Sequence, residues 1–248
     1  MEIRNITKAL ARCVVPKLVV TGIPLLDSHP FLQESVWWEK TLKENGSGVQ
    51  LTSEKDIEKY SFTNPDIYEE WLKEFDRKVD SAKKLVNIYM MYRDPYKLTF
   101  MKFNGDFMSK KQFAEYLADA WVTEDNPNMD INVPPSESIE MFKKAEKKWL
   151  MTEEDYAYYH NLPDEIEVFR GVSVGRIKHG LSWTDDKEKA EWFRKRFQRK
   201  GSKSNGDENC CMLRAVVKKS DVLAYFNTRN EKELVVNVFN IIDKIEEI

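Results

Sequence analysis

Beyond Pro163 the apolar residues of this 248-residue chain change their spacing, and that change restricts the fold more than any other feature. Up to that point they recur every three or four positions, as helices facing a core require. After it they fall into short alternating or continuous runs: Ile166 to Phe169, Leu181 to Thr184, Met212 to Val217, Val222 to Phe226 and Leu234 to Phe239. Such runs are strands of a small sheet. The expected class is therefore α+β, with a mostly helical part over residues 1–160 and a sheet region over 161–248, or one continuous domain from about residue 97.

In the helical part, Ile67, Trp71, Leu72, Phe75, Val79, Ala82, Val86 and Tyr89 predict one helix from about Ile67 to Tyr92, capped by Asn64 with Pro65 at its first position. Asp94 and Pro95 stop it. Lys97 to Phe103 alternates like a short strand and runs into the turn pair Asn104-Gly105. Ser109 with Gln112 is a capping-box pattern opening a helix through Phe113, Tyr116, Leu117 and Ala120. The segment from Asp125 to Pro135 is turn chemistry, a helix is expected from Ser138 to Trp149, and Thr152 with Asp155 opens another. Within the sheet region one amphipathic helix, Asp186 to about Arg199, turns Ala190, Phe193 and Phe197 inward, and the polar stretch Gly201 to Asn209 reads as an exposed loop. Trp37 and Trp38, with Phe31 and Leu32, read as helix packing.

Charge and composition remove several function classes. With 39 Lys and Arg against 42 Asp and Glu the net charge is -3, which a protein built to coat nucleic acid would not carry. The 7 Trp, 10 Tyr and 13 Phe are too many for a disordered chain, and no apolar run is long enough to span a bilayer. Cys13, Cys210 and Cys211 form no disulfide framework, so a reducing cytoplasmic setting is expected, with one of the adjacent pair a small buried hydrophobe. His29, His160 and His179 are scattered without ligand spacing, so no metal is expected, and His179 reads as solvated or satisfied in the core. On the helix from Asp186 and just beyond it, Lys187, Lys189, Arg194, Lys195, Arg196, Arg199, Lys200 and Lys203 outnumber Asp186, Glu188 and Glu191. This is a solvated face or a patch that steers an acidic partner or nucleic acid.

Three short features follow one another in the sheet region: Phe169-Arg170-Gly171 at a strand end, Ser182-Trp183-Thr184 before a helix, and Glu231-Lys232-Glu233 leading into the last strand. Each has a plain reading alone: a strand end relieved by glycine, a strand finishing at a helix cap, a solvated turn. In this order they resemble the ADP-ribosyltransferases of the cholera-toxin-like clade, whose signature is Arg, Ser-Thr-Ser and Glu-x-Glu. The resemblance spans roughly Glu165 to Val238, and the words GLSWTDDKEKAEWF and RNEKELVV look like a poorly characterised group of phage and bacterial proteins.

The resemblance implies a split-sheet NAD-binding core, NAD as substrate, no metal, and transfer of ADP-ribose to a macromolecular acceptor. That acceptor is expected to be a protein, with nucleic acid left open, no membrane involved, and the host cytoplasm as the setting for a phage-encoded chain. Arg170 is similar to the arginine that anchors NAD, Ser182 to the first serine of Ser-Thr-Ser, and Glu233 to the glutamate that contacts the ribose. Glu231 matches the upstream acid that engages an acceptor guanidinium, and Gly171 and Thr184 complete the NAD side. Trp183 departs from the pattern and is expected to pack under the following helix. The chemistry fits these residue types: breaking the nicotinamide-ribose bond makes an oxocarbenium-like sugar that a carboxylate stabilises, while an arginine suits phosphate oxygens or ribose. A catalytically inactive binding module of the same fold, such as a phage factor gripping a host protein, is the alternative.

Overall fold

A computed structural model describes residues 8–9, 65–92, 94–130, 132–196 and 210–248. The expectations for Cys13, His29, Trp37-Trp38, the Asn64 cap, Phe197, Arg199, Lys200 and the loop up to Asn209 with its Lys203 lie outside the described residues. The chain divides into two compact units, Met1–Phe107 and Met108–Ile248. The helices from Lys110 onward therefore share a unit with the sheets.

In the first unit α1 (Pro65–Ser81) and α2 (Leu85–Tyr89) replace the single helix expected up to Tyr92. Two polar side chains break it. The Ser81 hydroxyl donates to the Lys78 carbonyl at 3.0 Å, and the Lys84 N–H donates to Asn87 Oδ1 at 3.1 Å, which restarts the helix. The strand expected over Lys97 to Phe103 is instead a helix, α3 (Lys97–Asn104). Leu98, Thr99, Phe100 and Met101 are all buried, so no face alternates. Burial on several sides erased the very periodicity that separates helix from strand, and a short apolar run fits both. The Asn104 amide donates to the Phe100 carbonyl at 3.0 Å, and Gly105 continues in right-handed helical conformation rather than forming a hairpin turn.

The second unit opens with α4 (Lys110–Thr123), where the expected capping box is formed: Ser109 Oγ accepts from Gln112 N–H and Gln112 Oε1 from Ser109 N–H, each at 3.2 Å. The helix expected from Ser138 to Trp149 is two, α5 (Pro135–Lys144) and α6 (Lys147–Leu150), because Ala145 and Glu146 turn extended. Lys147 holds the break, its ammonium donating to the Phe142 carbonyl at 3.0 Å and to that of Leu223, and burial pushes its pKa down to about 8. Helix α7 (Glu153–His160) starts where Thr152 Oγ1 accepts from Asp155 N–H, as expected.

Two three-stranded antiparallel sheets follow. One runs in the order β1 (Glu165–Val172), β3 (Cys211–Lys218), β6 (Glu246–Glu247), and the other β2 (Ser182–Trp183), β5 (Glu233–Val236), β4 (Val222–Phe226). The last expected strand stops at Val236, and a 3-10 turn takes Val238–Asn240. A bridge between Phe169 and Thr184 joins the sheets. Helix α8 (Lys187–Lys195) crosses β1, with Ala190 buried against Phe169 and Met212. The second sheet is covered by aromatic contacts: Trp121 of α4 meets Phe142 edge-on at 5.0 Å, Phe142 lies 6.3 Å from Phe226, and Tyr158 stacks on Tyr225 at 4.2 Å. The chain thus mixes helices with small antiparallel sheets, an α+β architecture.

Candidate functional site

Where the two sheets meet at Phe169 and Thr184, a cleft opens with about 890 Å³ of empty space including its mouth. Arg170, Gly171, Ser182, Thr184, Glu231 and Glu233 all line it. Register explains the closest pair. Ser182 lies opposite Val235, so Glu233 is its diagonal neighbour on the same face of the β2–β5 ladder.

Glu233 sits half-buried at the start of β5, where Trp121 Nε1–H of α4 donates to its Oε1 at 2.9 Å. Burial raises its pKa, while the Ser182 hydroxyl and the Trp121 indole pull it back. Glu231 pushes the same way as burial and Arg170 the opposite. Glu231 precedes the strand on a tight turn and lies 4.0 Å from Arg229. That turn holds three non-glycine residues at positive φ: Arg229 at 60°, Asn230 at 57° and Lys232 at 50°.

Arg170 is placed differently from the expectation of a fork turned toward phosphate. Its Nε–H donates to the Lys178 carbonyl at 3.1 Å, Nη1 to the Ser182 carbonyl at 2.7 Å and Nη2 to the Ile177 carbonyl at 2.9 Å. The guanidinium therefore ties β1 to the loop before β2 and aligns the Ser182 backbone. Its burial lowers its pKa to about 10, with Glu233 the nearby charge that opposes the shift.

Gly171 has its own packing reason. A β-carbon there would stand 1.8 Å from the Ala190 carbonyl oxygen and 2.6 Å from Arg194 N, so glycine is what lets α8 lie on β1. Thr184 is buried, and its Oγ1 accepts from Asp186 N–H at 3.1 Å, which fixes the turn into α8, while Asp186 itself caps the helix by accepting from Lys189 N–H at 3.0 Å. Trp183 is buried with its indole N–H donating to the Gly180 carbonyl at 2.9 Å.

Three contributors carry no signature in sequence. Trp121 and Asn128 come from a region read only as helix and turn, and Gly180 was not singled out. Asn128 is buried; its Oδ1 accepts from Leu181 N–H, and its Nδ2 donates to Ser182 Oγ at 2.8 Å. A β-carbon on Gly180 would come 2.5 Å from Arg170 Nη2 and 2.9 Å from Asn128 Cγ, so the absent side chain is what lets both residues approach. Hints existed only in the turn chemistry around Asn126-Pro127-Asn128, which fixes a rigid corner without saying what it faces.

His179 is exposed and outside the cleft lining. Cys210 and Cys211 are both half-exposed, so neither is the buried hydrophobe expected: Met212 and Leu213, one position on, take the inward places. On α8, Arg194 and Lys195 both pair with Glu191, at 2.6 and 2.7 Å, and hold its pKa down to about 2. Two cations of the basic face thus share a single carboxylate. Arg196 lines the cleft, with Arg176 and Phe193. Among the described residues no cluster of His, Cys, Asp or Glu is arranged to hold a metal, and no helix is long and apolar enough to cross a membrane. Comparison of the chain with protein-family models, curated proteins and solved structures finds no match.

Proposed function

We propose that the chain is a mono-ADP-ribosyltransferase that moves ADP-ribose from NAD to a side chain of a macromolecule, most simply a protein. The observation that carries this reading is the meeting of Arg170, Ser182 and Glu233, from three strands of two sheets, in one cleft, with the serine and the glutamate diagonal neighbours on one face of the β2–β5 ladder. Chance placement of three motif residues does not require that they line one cleft.

In this reading the bond between ribose C1′ and the nicotinamide nitrogen breaks, its electron pair leaving with nicotinamide. The sugar becomes cationic, and the ionised Glu233 stabilises it through the ribose hydroxyl. Ser182 and Trp121 hold the carboxylate in one rotamer and favour its charged form. Arg170 organises the site through the backbone of residues 177–182, so its part is to hold the loop and strand rather than to grip phosphate alone. Glu231, lining the same cleft, orients the acceptor, whose nucleophile bonds to C1′ and gives up a proton. Water takes the acceptor's place when none is bound.

The test is incubation with labelled NAD and a cell lysate, with nicotinamide release followed in parallel. The parent chain should release nicotinamide and label a macromolecule. Glu233→Gln should lose both activities by about a hundredfold or more, as for removal of one electrostatic stabiliser, while keeping its fold. A folded parent chain that releases no nicotinamide, or a variant that turns over equally, overturns the proposal.

A further inference from the structure

The contact between Asn128 and Ser182 has a direction, and the direction follows from the backbone. An asparagine amide presents a carbonyl oxygen that accepts and an NH2 that donates, and which end points where is settled by its partners. Here one end faces Leu181 N–H, a group that can only donate, so that end is Oδ1. The other end is then Nδ2, and it faces Ser182 Oγ at 2.8 Å. Ser182 therefore receives a hydrogen from Asn128. Its own hydroxyl hydrogen is left to point elsewhere, and the acceptor on its own face of the ladder is the Glu233 carboxylate, its diagonal neighbour in the same cleft.

We infer that Asn128 is a positioning residue that orients the Ser182 hydroxyl so that it donates to Glu233, completing a one-way relay from the Leu181 backbone to the carboxylate. A serine without such a neighbour can rotate its hydrogen away and offer the carboxylate a lone pair instead. With Asn128 in place that rotamer would set a donor against a donor. Trp121 Nε1–H closes the other side at 2.9 Å, so Glu233 receives hydrogen bonds from two donors of fixed direction. Both favour the ionised form, against the burial that disfavours it. The charged groups that act on Glu233 are Glu231 on its own turn and Arg170 on β1, and Arg229 and Glu124 also line the cleft. The relay is independent of them, since Asn128, Ser182 and Trp121 carry no charge. Gly180 makes room for it, because any side chain there would meet Asn128 Cγ.

The inference rests on the proposed activity only for its purpose, which is keeping Glu233 ionised for transfer; the relay itself can be read without substrate. The Trp121 indole N–H reports on Glu233, so its proton–nitrogen NMR resonance, assigned by its loss in Trp121→Phe, should titrate with the carboxylate. Asn128→Asp keeps the acceptor for Leu181 N–H but cannot donate to Ser182, so the serine hydroxyl turns toward it and the titration midpoint should move up. Part of that rise is repulsion between two carboxylates. In a Ser182→Ala background the same change should move the midpoint by less, since only the repulsion is left. Asn128→Ala, which adds no charge, should raise the midpoint in the parent and leave it unmoved in Ser182→Ala.

Equal shifts in the two backgrounds overturn the relay, as does an unshifted midpoint in Asn128→Ala or a Trp121 resonance that does not titrate. Should Asn128→Ala fail to fold, Asn128→Asp with and without Ser182 decides the matter; should both fail, Ser182→Ala alone must raise the midpoint, and no rise overturns the relay. If the chain also hydrolyses NAD, the acid limb of kcat should move with the NMR midpoint while KM changes little. A chain that shows the titration behaviour but no turnover would retain the relay and lose the proposed activity, so the two can fail separately.

Discussion

Alanine at Gly180 probes the convergence of the site in one substitution. The new β-carbon would lie 2.5 Å from Arg170 Nη2 and 2.9 Å from Arg170 Cζ, and 2.9 Å from Asn128 Cγ. These are side-chain ends, so the backbone can stay and the neighbours must move. Both are held in place, Nη2 by the Ile177 carbonyl at 2.9 Å and Asn128 by Leu181 N–H and Ser182. Losing one hydrogen bond from a charged donor costs about 1.5–3 kcal/mol, and a neutral one about 1 kcal/mol. Against this, alanine narrows the unfolded ensemble and returns about 0.4–1 kcal/mol. No left-handed backbone penalty enters, because Gly175 is the positive-φ glycine among the described residues.

The net loss is about 2–3 kcal/mol, which for a unit of this size lowers the melting temperature by roughly 6–9 °C. Circular dichroism melts of parent and variant measure it, with the Trp121 resonance as a local check on the site. A variant melting within about 1 °C of the parent, with that resonance unmoved, would mean that Arg170 and Asn128 do not meet at Gly180, and the reasoning fails.

Gly171→Ala is the harsher change, since its β-carbon would strike backbone of α8 at 1.8 Å; a loss of about 3 kcal/mol or more in denaturant melts is expected, and a near-neutral result would show that α8 does not lie on β1. Arg170→Lys leaves one ammonium to serve three carbonyls, so stability should fall by roughly 2–4 kcal/mol even without NAD, and an unchanged melt would return Arg170 to a purely ligand-binding role. Glu231→Ala should cut transfer to the macromolecule while nicotinamide release to water persists, and parallel loss of both places Glu231 in the NAD site instead. For Glu233, whose folded pKa lies above its unfolded value, stability is fully present below the unfolded pKa and lost as pH rises through the folded one. Glu233→Gln should therefore melt higher than the parent at neutral pH, with the gap closing in acid; a variant less stable at neutral pH contradicts this sign.

What sequence revealed and what it concealed divide along the range of the interactions. The caps at Ser109 and Thr152 were legible because donor and acceptor stand three residues apart, and β1, β3 and β4 because their short runs are bounded by turn residues such as Pro163, Asp221 and Asn227. The segment from Lys97 misled because its alternation is short and its burial surrounds it. Arg170, Ser182 and Glu233, which line one cleft, were singled out through their order along the chain. Trp121 and Asn128 reach their partners across 112 and 54 residues, and an indole or an amide in a turn carries no mark of what it faces. Arg170 was found, but its partners were not: three backbone carbonyls leave no trace in side-chain identity. Its use could be seen only once the loop before β2 had a shape.

The turn before β5 joins these observations into one design. Arg229, Asn230 and Lys232 occupy left-handed backbone without the glycine that would make it cheap, at a cost of order 1 kcal/mol for each of the two cationic side chains and less for the asparagine. The conformation lets Glu231 and Glu233 line one cleft from either side of Lys232, whose ammonium instead reaches Asp186 at 2.9 Å. That ion pair is half-exposed and contributes little, and the Arg229 donation to the Val122 carbonyl lies at the surface. Neither offsets three strained residues and a carboxylate held above its usual pKa. The compensation lies one step along the chain, where Leu234, Val235 and Val236 are wholly buried and pair with the equally buried β4. Glu233 stands at that boundary, with its backbone fixed by the ladder and its carboxylate given to the cleft. A site placed there inherits the rigidity of the sheet without weakening the sheet's own core, which is why the strain collects before residue 233 and the apolar run begins immediately after it.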